Sequence, residues 1–199
     1  RRPAFCWNSN HARNRSLTTD GYEAYSAVCE ANGVVQVGCW AHARRRFDEA
    51  LKAQGKTAKG KSSLAAQAIN RIGRLYQIER RAQRLSDEER LALRRQRAMP
   101  VLDGLHDWLV EHLPRVPAKS ALGKAMGYLH GQWDRLTVYA TDGRLRIDNN
   151  LVENAIRPFV IGRKNYLFCD SVAGAAASAN IYRRIGTATA NGLSPAADH

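Results

Sequence analysis

The chain is predicted to be an α/β protein with a large all-α segment, on three observations. Short apolar or β-branched runs at residues 17–20 and 34–39 each lead into a helical pattern. From residue 62 to 137 apolar side chains recur at helical spacing with no strand signal between them. A further short helix opens at Asn149 or Asn150 and carries Glu153. With 199 residues there is room for one domain with a real core, or one domain with a sizeable insertion.

Taken in order, residues 1–17 are rich in Arg and Asn around the apolar piece Ala4-Phe5-Cys6-Trp7, and read as a frayed strand or a loop. Leu17-Thr18-Thr19 ends a strand, because β-branched residues run into a turn at Asp20-Gly21. Residues 22–31 read as a helix stopped by Asn32-Gly33. Residues 34–39 have the composition of a buried strand. Over residues 40–54, Ala43, Phe47, Ala50 and Leu51 mark the apolar face of a helix. Residues 55–61 are a Lys/Gly linker. Ile69, Ile72, Leu75, Tyr76 and Ile78 define the next helix. Leu91, Leu93, Met99 and the run 102–110 define another, with an interruption expected near Pro100. Pro114 and Pro117 break it before a last helix over 119–136. Residues 144–147 are expected to form a strand edge. Residues 159–168 are apolar apart from Arg163-Lys164, which mark a loop or hairpin tip, and 172–189 form an alanine-rich helix. The expected organisation is therefore 1–54, a helical insertion at 55–137, and 138–199.

Lys and Arg together number 31 against 18 acidic residues, a net charge of +13. Such an excess favours a polyanionic partner. Arginine outnumbers lysine, which suits bidentate phosphate contacts better than simple solubility. Charge alone leaves a second option, a basic protein that merely sits near nucleic acid. Arg71, Arg74, Arg80, Arg81, Arg84, Arg90, Arg94, Arg95 and Arg97 are assigned to outer faces of the helical segment, and such a run is usually a solvated face. No apolar run approaches a membrane span and no signal peptide precedes the first residues, so the chain reads as cytoplasmic with no membrane partner.

Cys6, Cys29, Cys39 and Cys169 show no paired spacing. Cys39 and His42 with Cys6 and His11 are conceivable zinc ligands, but neither pair has finger spacing, and buried thiols are the commoner outcome. Trp40 is assigned to the core rather than to a base-stacking platform.

Glu153 is the carboxylate that stands out. Asn150 and Glu153 have capping-box spacing, Arg157 falls one turn behind on the same face, and Pro158 stops the helix. The guanidinium of Arg157 can hold a phosphate beside the acid. An Asp at a strand end (Asp20) and a Glu on a distant helix can converge. Carboxylates so placed bind a pair of Mg²⁺ ions about 3.5–4 Å apart, one activating the attacking oxygen and one stabilising the leaving oxygen. All-oxygen ligands suit Mg²⁺ or Mn²⁺. The plainer readings are an Asp-Gly turn and a Glu153–Arg157 pair that only supports its helix.

Four motifs stand in one order: Thr19-Asp20-Gly21-Tyr22-Glu23-Ala24-Tyr25, Gly38-Cys39-Trp40-Ala41-His42-Ala43-Arg44-Arg45-Arg46-Phe47, Asp148-Asn149-Asn150-Leu151-Val152-Glu153-Asn154-Ala155-Ile156-Arg157-Pro158, and Gly162-Arg163-Lys164-Asn165-Tyr166-Leu167-Phe168. From about Leu17 to the end the sequence resembles the transposase of IS66-type bacterial insertion sequences. The resemblance implies an RNase H-like core of the DDE class, here partial, with a first strand or strands missing and a large all-α insertion. It implies that Asp20 and Glu153 are the second and third acids, catalytic and metal-binding, for Mg²⁺ or Mn²⁺. It implies cleavage at transposon ends and strand transfer into target DNA, so double-stranded DNA is the partner. A homo-oligomer and a place at the bacterial nucleoid follow for an intact transposase. Arg44, Arg45, Arg46, Arg157, Arg163 and Lys164 are the DNA-contacting candidates. His42 is a further one, with a packed or capping role as its alternative.

The class also uses a first Asp upstream of Asp20, and nothing between Arg1 and Thr19 is acidic. Asp48, Asp142 and Asp148 are poor substitutes, the first on a helix after the second strand and the others close to Glu153. The expectation is a truncated copy or C-terminal fragment that binds metal weakly and cleaves slowly or not at all. The alternative is a DNA-binding remnant that joins or poisons an intact assembly.

Overall fold

The computed structural model describes residues 15–21, 23–54, 63–151, 153–154, 157 and 171–190. Two compact units are distinguished, Arg1–Asn149 and Asn150–His199.

The first unit opens with a β-α-β element. Strand β1 (Ser16–Thr19) pairs in parallel with β2 (Val35–Gly38), with Thr19 opposite Gly38. Parallel neighbours need a crossover, and helix α1 (Ala24–Ala31) supplies it. The expected stop at Asn32-Gly33 is a Schellman ending. Gly33 has φ +58, Gly33 N–H donates to Glu30 O, and Val34 N–H donates to Cys29 O at 2.9 Å.

Helix α2 (Trp40–Ala53) buries Trp40, Ala43, Phe47 and Ala50, a stripe at three- and four-residue spacing. Leu51 is half-buried at its margin. Helix α3 (Leu64–Ala82) is capped by Ser63, whose hydroxyl accepts from Ala66 N–H, and buries Ile72 and Leu75 against the same core. Helix α4 (Asp87–Leu93) starts with a complete capping box between Ser86 and Glu89. Helix α6 (Ala121–Gly131) is capped by Ser120, and α7 (Trp133–Thr137) follows it after a break at Gln132. The expected single helix over 119–136 is thus two pieces.

Pro100 does not interrupt its helix. A π-helical turn, Arg94–Ala98, joins α4 to α5 (Met99–His112), and Pro100 lies in the first turn of α5. The re-spaced hydrogen bonding of the π turn is where a missing proline N–H is tolerated.

The expected strand edge at 144–147 is not a strand. Its backbone groups are used elsewhere: Leu145 N–H donates to Asp142 O, Leu145 O accepts from Arg94, and Ile147 O accepts from Trp40 N–H at 3.1 Å. Among the described residues, β1 and β2 are the strands and the rest of the first unit is mainly helical. The coarse α/β expectation holds, weighted heavily to helix.

One core joins these parts. Trp40 is fully buried, donates Nε1–H to Leu136 O at 2.8 Å, and meets Trp133 edge-on. Its assignment to the core is correct. Gly38 is required here, because a Cβ on it would stand 2.9 Å from Leu136 N. In the second unit, residues 150–151, 153–154 and 157 are helical, and α8 (Val172–Ala190) covers the predicted alanine-rich helix.

Candidate metal and nucleic-acid site

Asp20 follows the last residue of β1 and is exposed. It lines an open depression of about 400 Å³ with Gly21, Glu23, Arg46, Tyr128 and Gln132. The Tyr128 hydroxyl donates to the Asp20 carbonyl at 2.7 Å. Burial raises the Tyr128 hydroxyl pKa, which keeps it a donor at neutral pH. Gly21 turns the chain at φ +90 with Gln132 directly behind it, where a Cβ would come within 3.1 Å of the Gln132 side chain.

A hydrogen-bond relay backs this turn. Arg135 donates to Gln132 Oε1 at 3.3 Å and to Ser26 Oγ at 3.2 Å. Ser26 Oγ–H donates to Gln36 Oε1, and Gln36 Nε2 donates to Thr19 Oγ1 at 2.8 Å. Helices α1, α6 and α7 and both strands are tied to the residue beside Asp20. Tyr128, Gln132 and Arg135 have no sequence signal of their own, because only the fold brings 128–135 to residue 20.

Arg44, Arg45 and Arg46 are all exposed on α2. Arg44 lies 3.9 Å from Asp48, and Arg46 lies over the Tyr128 ring at 4.1 Å. Arg46 is thus the one of the three seen at the rim of the Asp20 depression. His42 is half-buried on the same helix.

Glu153 belongs to the second unit, where it is half-buried on its helix, with Arg157 exposed one turn later. Asn150 is already helical, which leaves Asn149 ahead of the helix as its cap candidate. Asn149 Oδ1 accepts from the Cys39 thiol at 2.9 Å. Arg163 and Lys164 lie outside the described residues, as do Cys6, His11 and Cys169. Cys29 and Cys39 are free and buried, and desolvation raises the Cys39 pKa, so that thiol stays protonated.

Among the described residues no three His, Cys, Asp or Glu side chains gather as around a metal ion. The Asp20 depression nonetheless offers hard oxygen donors, the carboxylates of Asp20 and Glu23 and the Gln132 amide, and no thiolate. That donor set fits a part-site for Mg²⁺ or Mn²⁺.

One assignment fails. Arg94 is not on an outer face. It is 1% exposed, and its five donors are all engaged, two on the Glu79 carboxylate and one each on the carbonyls of Tyr139, Asp142 and Leu145. Arg94 stands one turn ahead of buried Ala98, at the head of the stripe that continues through Leu102, Leu105 and Leu109. Arg90 is likewise drawn to the carbonyls of Ala82, Leu85 and Gly143. Arg74, Arg80, Arg81, Arg84, Arg95 and Arg97 are exposed as expected.

The family model of the IS66 transposases matches residues 10–177. The chain belongs to the IS66 transposase family. It is 32% identical to the uncharacterized protein y4hP of Sinorhizobium fredii over 191 residues, covering 91% of this chain and 35% of that protein. It is 32% identical to y4jD of the same organism over 188 residues, covering 92% of this chain and 36% of that protein. The chain therefore spans about a third of the length of these relatives. No solved structure matches it. No helix among the described residues is long and apolar enough to cross a membrane.

Proposed function

We propose that this chain forms part of an RNase H-like catalytic core of a DDE transposase, in which Asp20 and Glu153 hold Mg²⁺ or Mn²⁺ for phosphodiester cleavage and strand transfer. The observation that carries the reading is the placement of Asp20. An exposed carboxylate ends a parallel strand, its backbone is held by Tyr128, and an exposed guanidinium, Arg46, shares its depression. A bound divalent ion would supply charge stabilisation to the attacking and leaving oxygens. The chain's own part is to fix the Asp20 carboxylate and to bring phosphate to it through Arg46, with Arg44, Arg45, Arg157, Arg163 and Lys164 extending the DNA contact. Double-stranded transposon-end and target DNA are the substrates, bound by an oligomer as in an intact transposase. His42 stands on the same helix face of the site as a lesser candidate.

A second reading rests on one sequence fact. Residues 1–19 contain no Asp or Glu, so the three-acid set of the class is one short in these residues. The chain alone would then bind DNA, or join an intact assembly, without cutting. Nicking of transposon-end DNA in Mn²⁺ separates the two. The proposed outcome is no nicking by the 199-residue chain, and nicking when it is extended upstream by an Asp-bearing strand. That nicking is to be lost in Asp20→Ala and in Glu153→Ala. Activity that survives Asp20→Ala defeats the metal role of Asp20.

A further inference from the structure

We infer that Tyr76, Cys39 and Asn149 are positioning residues for Glu153, forming a latch that fixes the chain just ahead of the Glu153 helix to the end of β2. The inference rests on the metal role proposed for Glu153. Three successive residues are held by three different groups. Ile147 O accepts from Trp40 N–H at 3.1 Å, Asp148 Oδ2 accepts from the Tyr76 hydroxyl at 2.9 Å, and Asn149 Oδ1 accepts from the Cys39 thiol at 2.9 Å. Ile147 itself is 7% exposed and plugs into the core. Further back, Arg94 holds the carbonyls of Asp142 and Leu145.

The anchor point is what gives this latch meaning. Cys39 and Trp40 directly follow Gly38, which pairs with Thr19, the residue before Asp20. Residues 147–149, the last before the Glu153 helix, are therefore pinned at the end of β2, next to the strand that Asp20 follows. Glu153 comes four residues after Asn149, about one helical turn.

The chemistry of the latch favours orientation over simple closure. Burial and the neighbouring Asp148 charge raise the Tyr76 pKa, and burial raises that of Cys39, so both remain donors across the working range. Their acceptors, a carboxylate and an amide oxygen, accept along set directions. Apolar side chains would close the same loop without the cost of desolvating a carboxylate, but would not fix its rotation. Ligand placement is where such directionality matters, since a misplacement of about 1 Å can cost about 100-fold in rate.

Two readouts on the 199-residue chain test this. The first is hydrogen exchange of the Trp40 amide and of residues 147–151. Tyr76→Phe and Asn149→Ala are expected to raise it about tenfold, the weight of one hydrogen bond, while the amides of α3 and α6 stay protected. Cys39→Ser keeps a donor and should retain protection that Cys39→Ala loses. No local rise, or an equal rise in α3 and α6, overturns the latch.

The second readout is Mn²⁺ affinity, followed by the EPR signal of the free ion. Tyr76→Phe and Glu153→Gln should each weaken binding, and the double variant should be no weaker than Glu153→Gln alone. Losses that multiply overturn the positioning role. If Glu153→Gln leaves Mn²⁺ binding unchanged, the metal reading fails, and exchange still decides the latch.

Discussion

Arg94 and Arg46 lie on helices of the same unit, and each places its guanidinium over a tyrosine ring, Arg94 on Tyr139 at 5.0 Å and Arg46 on Tyr128 at 4.1 Å. Their surroundings are opposite. Arg94 has 1% exposure and all of its donors fixed by Glu79 and three carbonyls. Arg46 is exposed at the rim of the Asp20 depression. One arginine shapes the segment 139–145, and the other is available to a ligand. A net charge of +13 therefore overstates the cationic surface, because its count includes guanidiniums spent inside the protein.

Removing the buried member should have the largest effect. Arg94→Met strands the Glu79 carboxylate, 14% exposed, together with three carbonyls. The expected loss is about 3–5 kcal/mol in urea unfolding. Arg94→Lys should recover little of it, since a single ammonium cannot reproduce the fork. A loss below about 1 kcal/mol would place Arg94 among ordinary surface charges.

The exposed members should behave in the reverse way. Arg44→Ala, Arg45→Ala and Arg46→Ala together should change stability by less than about 1 kcal/mol, because the Arg44–Asp48 pair is solvated at both ends. The salt dependence of DNA binding should nonetheless flatten, its slope falling by about 1 for each arginine that contacts phosphate. An unchanged slope would remove this helix from the DNA track.

The same contrast explains what the sequence could reveal. Both strands, α1, α2, the Asn32-Gly33 stop and the core stripe of α2 were legible, because period and turn chemistry are local properties. Asp20 at a strand end was legible for the same reason. Arg94 was not, since a guanidinium at the head of the stripe Ala98, Leu102 and Leu105 reads as solvated charge until its distant partners Tyr139, Asp142 and Leu145 are in place, and Pro100 in the first turn of α5 looks like a break. Residues 144–147 looked like a strand because their side chains alternate, but the fate of their backbone groups depends on Arg94 and Trp40, 50 and more residues away in the chain. Tyr128 and Gln132 gained their role from the packing of α6 and α7 against the strands. The Ser120 cap of α6 belongs to the local class, whereas the break at Gln132 divides a run that is continuous in apolar period.

Tyr128→Phe sharpens the comparison on the exposed side. It keeps the ring under Arg46 and deletes the hydroxyl that holds the Asp20 carbonyl. A stability loss of about 1 kcal/mol is expected, with the DNA salt slope unchanged. A fall in the slope would mean that the hydroxyl, and not only the ring, sets where Arg46 points.

Asp142 brings the two kinds of arginine onto one residue and gives the smallest effect. Its carbonyl accepts from buried Arg94 at 2.7 Å, and its carboxylate is paired with exposed Arg144 at 2.5 Å. Hydrogen bonds from the Arg144 side chain hold the Asp142 carboxyl below the usual carboxylate range. A depressed carboxyl contributes stability that is complete above its unfolded value of about 3.9 and is lost as the pH falls through the lower folded value. Asp142→Asn should therefore flatten the stability curve below about pH 4 and leave its slope between about pH 6 and 8 untouched. The carbonyl, and with it the Arg94 clasp, survives this substitution. An Asp142→Asn loss comparable to that of Arg94→Met, present at neutral pH, would show that the exposed pair and the buried clasp act as one unit, and the contrast between the two arginines would fall.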